Sequence, residues 1–127
     1  MTACVFDSSA LIAITFREAG ADFAAESLAE GIVSAVNAAE VVTRYIDQGA
    51  SPDQARRWLQ DLGLAVRPFD EGLALEAGLL RDRTRDKGLS LGDRACLALG
   101  MREGVPVLTA DRAWAQLGLD VTVRLIR

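Results

Sequence analysis

The chain has no histidine. That absence removes Ser-His and Cys-His nucleophile pairs, histidine general bases and every zinc site that needs imidazole. Lysine is nearly missing too: Lys87 stands alone, and the other basic residues are arginines, suited to bidentate grips on phosphate. Cys4 and Cys96 are isolated thiols far apart in sequence, which excludes a disulfide framework. Met1 is followed by neither a basic leader nor an apolar run of about 18 residues, so the sequence predicts a soluble, cytoplasmic protein without membrane contact. Aromatics make up only 6% and are not interleaved with basic residues, so they read as core or partner anchors. Basic residues number 14 against 18 acidic ones, giving a net charge of −4 that repels nucleic acid as a whole. Any contact with nucleic acid must therefore be local. What the chain does have is 50% hydrophobic residues over 127 positions, enough for one domain spanning 1–127 with a sizeable core.

Its pattern alternates between two periods. Ala3 to Phe6 is a short apolar run suited to a strand covered on both faces, and Asp7-Ser8-Ser9 separates it from a helical run beginning at Ala10. The same strand-to-helix grammar recurs at Gly31 to Ser34 before a helix from Asn37 to about Gln48, and at Val105 to Thr109 before a helix opening at Asp111. Leu64 to Pro68 and Val121 to Leu125 add two strands, the former near a sheet margin because of its proline. Helices are predicted over Ala19–Glu30, Pro52–Leu62, Glu71–Lys87 and Leu91–Glu103, with Gly63, Gly88 and Gly104 just past three of their ends. Strands alternating with helices imply an α/β fold with a parallel sheet and helices on both faces. The mixed charge run Arg81 to Lys87 reads as a solvated helix end.

Four acids share one place in this pattern. Asp7 follows the first strand, Glu40 and Asp93 fall in first turns of helices, and Asp111 follows the fourth strand. All are placed on the edge that the strand C-termini share, where an open α/β sheet forms its crevice. Each has an innocent reading. Asn37 to Glu40 and Ser90 to Asp93 fit helix caps with an acid at the third position, and Asp7 and Asp111 can cap helices themselves. Together the four read differently, because carboxylates about 5 Å apart at an effective dielectric of 20 repel by roughly 3 kcal/mol per pair. Mg²⁺ or Mn²⁺, hard cations that take oxygen ligands, would cancel that repulsion and support phosphodiester chemistry.

These residues carry a resemblance. Val5 to Ala13, Asn37-Ala38-Ala39-Glu40-Val41, Leu89 to Leu99 and Leu108 to Trp114 resemble, in order, the four motifs of PIN-domain ribonucleases, in particular VapC-type toxins of bacterial toxin–antitoxin pairs. The resemblance implies a three-layer α/β/α domain with a five-stranded parallel sheet in the order 3-2-1-4-5. It also implies Mg²⁺-dependent cleavage of structured RNA, with Mn²⁺ as a possible substitute. It puts Asp7, Glu40, Asp93 and Asp111 in the metal site: Asp7 and Asp93 as direct ligands, Glu40 as ligand or water-positioning group, and Asp111 acting through water. Ser9 and Thr109 are expected to orient those carboxylates by hydrogen bonds. Asn37 reads as a helix cap, with a phosphate or carboxylate contact as the alternative, and Arg94 and Arg112 as local ion-pair partners or phosphate clamps. Cys96 reads as a small buried hydrophobe.

The resemblance further implies a VapB-like antitoxin partner and a homodimer. Tyr45 and Trp58 lie on helical stripes whose plain reading is core packing, and in the resembled family that helical pair borders the antitoxin groove, which makes both interface candidates. Rival readings are a housekeeping PIN nuclease, an inert PIN-like binding module, a receiver-type phosphoacceptor and a haloacid-dehalogenase-type phosphatase. The receiver needs a lysine after a late strand, whereas Lys87 ends a helix, and the phosphatase needs an acid where Ser9 stands. Four intact acids argue against an inert module.

Overall fold

Strands β1 (Cys4–Phe6), β2 (Gly31–Ser34), β3 (Ala65–Arg67), β4 (Val107–Thr109) and β5 (Val123–Leu125) form one parallel sheet in the order β3-β2-β1-β4-β5. They belong to a computed structural model that describes residues 3–127. Met1, on which the reading of no leader rests, lies outside the described residues. The sheet matches the order that the motif resemblance implies. β1 is central and buried along its whole length, with Val5 in register with Ile32 on one side and Val107 on the other.

Alternation along β1 makes the three layers. Cys4 and Phe6 face a core shared with Leu11, Val41, Tyr45 and Ala55, which belong to α1 (Ser8–Phe16), α3 (Ala35–Asp47) and α4 (Pro52–Asp61). Val5 faces the opposite core, with Leu73, Ala77, Leu97 and Leu99 from α5 (Glu71–Thr84) and α6 (Leu91–Glu103), and with Trp114. A strand covered by helices on both faces needs apolar residues at consecutive positions, which is why β1 reads as an unbroken apolar run. The α5–α6 pair is clamped outside the core: Arg102 grips both oxygens of Asp70 at 2.8 Å, while Asp70 caps α5 through the Leu73 amide at 2.9 Å. The guanidinium holds the Asp70 carboxyl well below the usual carboxylate range. Gly72 gives Arg102 room, since a Cβ there would stand 2.9 Å from its Nη2.

Several elements depart from the sequence pattern: α1 already starts at Ser8, ahead of the run expected from Ala10, and the helix expected over Glu71–Lys87 ends at Thr84 before a 3-10 turn at Arg85–Lys87. The helix expected over Ala19–Glu30 is the short α2 (Ala21–Ala25) followed by a 3-10 turn at Leu28–Glu30. Its entry is set by Gly20 at φ +90°, a residue whose α-carbon packs on the Ile126 carbonyl, where a side chain would collide. The helix expected after Asp111 is a 3-10 turn, Arg112–Gln116, which buries Trp114. Most consequentially, α3 starts at Ala35 instead of Asn37, because the Ser34 hydroxyl at the end of β2 already accepts the Val36 amide and caps the helix. Among the described residues no helix is long and apolar enough to cross a membrane.

Candidate active site

The sheet order reverses direction between β1 and β4, and in such a sheet the crevice opens at the strand C-termini at that point. Asp7 leaves β1 there, its amide donating to the Leu108 carbonyl of β4 at 2.8 Å. It occupies the position before α1, yet its carboxylate makes no capping hydrogen bond. Instead Ser9 Oγ donates to Asp7 Oδ2 at 2.6 Å and Thr109 Oγ1 to the same oxygen at 2.8 Å. Both hydroxyls are fixed in turn, since Ser9 Oγ accepts the Ala110 amide and Thr109 Oγ1 the Asp111 amide. Only 4% of Asp7 is exposed. Burial pushes its carboxyl up to about 6, with the Ser9 and Thr109 hydroxyls pulling the other way and the Asp93 charge adding to the rise.

Glu40 is reached from α3. Because Ser34 takes the cap, Asn37 is the third helical residue and Glu40 sits in the second turn, so Asn37 is not the cap that the motif suggests. Asn37 is wholly buried, and its Nδ2 lies 3.1 Å from both Glu40 Oε1 and the Gly92 carbonyl and 3.0 Å from Ser8 Oγ. Ser8 Oγ donates to Glu40 Oε1 at 2.7 Å. Asp93 does cap: Ser90 and Asp93 form a reciprocal capping box, with the Ser90 amide on Asp93 Oδ2 at 2.9 Å. Asp111 caps the following 3-10 turn through Oδ1 and the Ala113 amide at 3.0 Å. Capping leaves Asp93 Oδ1 and Asp111 Oδ2 without a hydrogen bond among the described residues, and with Ser8 and Asn37 on Oε1 the same holds for Glu40 Oε2. For Asp93 and Asp111 the capping and the chemical readings therefore share the same side chain.

All four acids line one cleft of about 710 Å³, together with Ser8, Ser9 and Arg44. A comparable cleft of about 660 Å³ at the α1–α2 corner holds none of the four. Cys96, buried one turn past Asp93, records the convergence: burial foremost, then the charges of Asp7, Asp93 and Glu40, push its thiol far up. It stays a neutral hydrophobe, as its sequence context suggests. Among the described residues no three acidic or thiol groups stand close enough to make a ready metal cage. Each carboxylate is instead engaged by local donors through one of its oxygens. The donor set fits a hard divalent cation: oxygen atoms only, each acid tied to the scaffold by one oxygen, and a buried carboxyl raised beside a second acid.

The flanking arginines divide differently from expectation. Arg94 makes no ion pair with Asp93; its Nη1 donates to the Ala77 carbonyl at 2.9 Å and ties α6 to α5. Arg112 is exposed and outside the cleft-lining set. Arg44, one helical turn beyond Glu40, lines the cleft and makes no ion pair among the described residues. Its i+4 spacing from Glu40 was the signal that sequence reading passed over. Ser8 and Gly92 were likewise missed. Tyr45 is wholly buried, bonded to Thr15 and packed edge-on against Phe16 and Trp58 at centroid distances of 5.9 and 5.3 Å. It belongs to the core, while Trp58 is half-buried and Phe16 is 37% exposed.

The fold and this acid-lined crevice define a three-layer α/β domain with its cleft at the sheet's switch point, and the family follows directly. The chain belongs to the PIN domain family, whose model matches residues 4–119. PIN domains are nucleases. No curated protein sequence matches the chain significantly. Among solved structures it is similar to a toxin–antitoxin complex from Klebsiella pneumoniae, with 19% identity, 98% of each chain covered and a TM-score of 0.76. DNA-bound VapBC from Salmonella typhimurium gives 14% identity, 100% coverage of both chains and a TM-score of 0.77. VapBC2 from Rickettsia felis, bound to a promoter DNA fragment, gives 16% identity, 95% and 96% coverage and a TM-score of 0.74. At these identities the likeness speaks for the fold.

Proposed function

We propose that this protein is the toxin of a VapBC-type toxin–antitoxin pair and cleaves RNA as a Mg²⁺- or Mn²⁺-dependent endoribonuclease. The observation that carries this reading is the set of four carboxylates lining one cleft at the sheet's switch point, with Asp7 buried beside Asp93 and no cation among the described residues paired to either. Asp7, Glu40, Asp93 and Asp111 are the residues that would hold the ion. When bound, it supplies Lewis-acid stabilisation of the charge that builds on phosphorus oxygens during hydrolysis.

The chain's own residues do the rest. Ser9 and Thr109 keep Asp7 ionised and oriented against the pull of its burial. Ser8 and Asn37 hold Glu40 Oε1. Arg44 offers a guanidinium fork to a substrate phosphate at the cleft rim, giving a net-acidic protein its local grip on RNA. An antitoxin segment would cover the Phe16 and Trp58 edge of α1 and α4 and sequester the activity. A second copy of the chain would cover Leu75 and Leu79, which are 61% and 58% exposed one turn apart on α5.

Purified protein incubated with total RNA, with and without Mg²⁺ or Mn²⁺, tests the reading. Site-specific cleavage that EDTA abolishes, and that Asp7→Asn and Asp93→Asn each remove, is the expected result. Cleavage that persists in EDTA overturns it. Harmless expression of an active enzyme without its antitoxin would point to a housekeeping PIN nuclease instead.

A further inference from the structure

Glu40 lies against the backbone of α6, where any side chain at position 92 would push its carboxylate aside. A methyl group built on Gly92 overlaps Glu40's two carboxylate oxygens and its Cδ, and these are the three nearest atoms it would meet. Gly92 has no conformational need to be glycine, since it sits in the first turn of an ordinary α-helix and has no left-handed φ. Steric room for one carboxylate is therefore what the missing Cβ supplies.

Asn37 closes the same seat from the other side. The Gly92 carbonyl and the Glu40 carboxylate are both acceptors, which assigns Nδ2 to them and leaves Oδ1 buried without a partner. A buried amide oxygen left unpaired is costly, so the side chain's role lies in what Nδ2 joins. It joins α3 to the residue directly before Asp93 and thereby fixes Glu40 relative to Asp93.

We propose that Gly92 and Asn37 are positioning residues that form a backbone seat for the Glu40 carboxylate and set its distance from Asp93 for metal binding. The inference rests on the reading that Glu40 serves the metal site. Residues that orient a metal-binding group typically change affinity or activity about 10- to 100-fold when altered. In the wild-type background Gly92→Ala should weaken Mn²⁺ binding, measured by calorimetry, by about that factor. It should also lower the melting temperature of the metal-free protein.

With Glu40→Ala already in place, Gly92→Ala should leave Mn²⁺ affinity unchanged and should no longer lower the melting temperature, because alanine is the better helix former and nothing remains to collide with it. Glu40→Asp, shorter by one methylene, should restore part of the Mn²⁺ affinity lost in Gly92→Ala. If Gly92→Ala does not fold, recovery of folding in the Glu40→Ala double variant supports the seat, and failure to recover overturns it. Wild-type Mn²⁺ affinity in Gly92→Ala, or equal melting shifts in both backgrounds, overturns it as well. Unchanged Mn²⁺ affinity in Glu40→Ala alone overturns the metal reading of Glu40, a result separate from the metal-free melting comparison.

Discussion

Thr109 at the end of β4 donates its hydroxyl to Asp7 at the end of β1 across 2.8 Å, and the same oxygen accepts the Asp111 amide. One side chain thus couples two neighbouring strands, the most buried acid and the start of the fourth motif. Thr109→Val keeps the shape and removes both bonds. A buried group left without its partner costs about 1–3 kcal/mol. The variant should lose stability of that order at neutral pH, and its activity profile should move to higher pH because Asp7 loses a donor that favours its charged form. Thermal melts and a pH–rate profile check both.

Asp7 also makes stability depend on pH. Burial lifts its folded carboxyl to about 6 from an ordinary value of 3.8, so between those values the folded state binds more protons than the unfolded one. This contribution is fully present below about pH 4 and disappears as pH rises through about 6, a change on the order of 3 kcal/mol in the metal-free protein. Denaturant melts in EDTA at pH 4.5 and 7.5 should show the loss, and Asp7→Asn should flatten it. A pH-independent Asp7 contribution would contradict the burial argument.

Asp93 is both a cap and a charge facing Asp7. Asn at this position still offers an oxygen to the Ser90 amide, so Asp93→Asn removes repulsion while the capping box survives. In EDTA the variant should melt at or above the wild-type temperature. Mg²⁺ at about 100 times its Kd should stabilise the wild type by roughly 2.7 kcal/mol and the variant by much less. A clear loss of stability in EDTA with no response to Mg²⁺ in either protein would leave Asp93 as a cap alone.

Arg44→Ala should raise KM for RNA with a smaller change in kcat, and should flatten the salt dependence of binding by roughly one counterion. Arg44→Lys should restore the salt slope but only part of the affinity, because it lacks the planar fork. An unchanged salt slope in Arg44→Ala would remove it from the substrate path.

Trp58→Ala should weaken antitoxin binding by about tenfold or more, as expected for a half-buried aromatic anchor. Tyr45→Phe, at a wholly buried position, should change stability and leave antitoxin affinity alone. Calorimetric titration of both variants separates the edge that a partner can touch from the core beneath it.

Much of this site is legible in the order of residues. The apolar run ending at Asp7, the Ser90 to Asp93 box and the acids after successive strands are local patterns, set by strand period, capping chemistry and the rule that parallel sheets open at their C-terminal edge. Tertiary structure decided what those acids touch. Asn37 is hidden inside α3 because Ser34 caps the helix three residues earlier, a competition between two plausible caps that spacing does not resolve. Gly92 reads as a weak helix residue until Glu40, 52 positions away, is seen against its α-carbon. Arg94 turns to Ala77 and not to its neighbour Asp93, and Asp7 is raised by burial that three layers create together. Local propensity depends on residues a few positions apart, whereas the protonation of Asp7 and the placement of Glu40 depend on desolvation and contact between segments that only folding brings within reach.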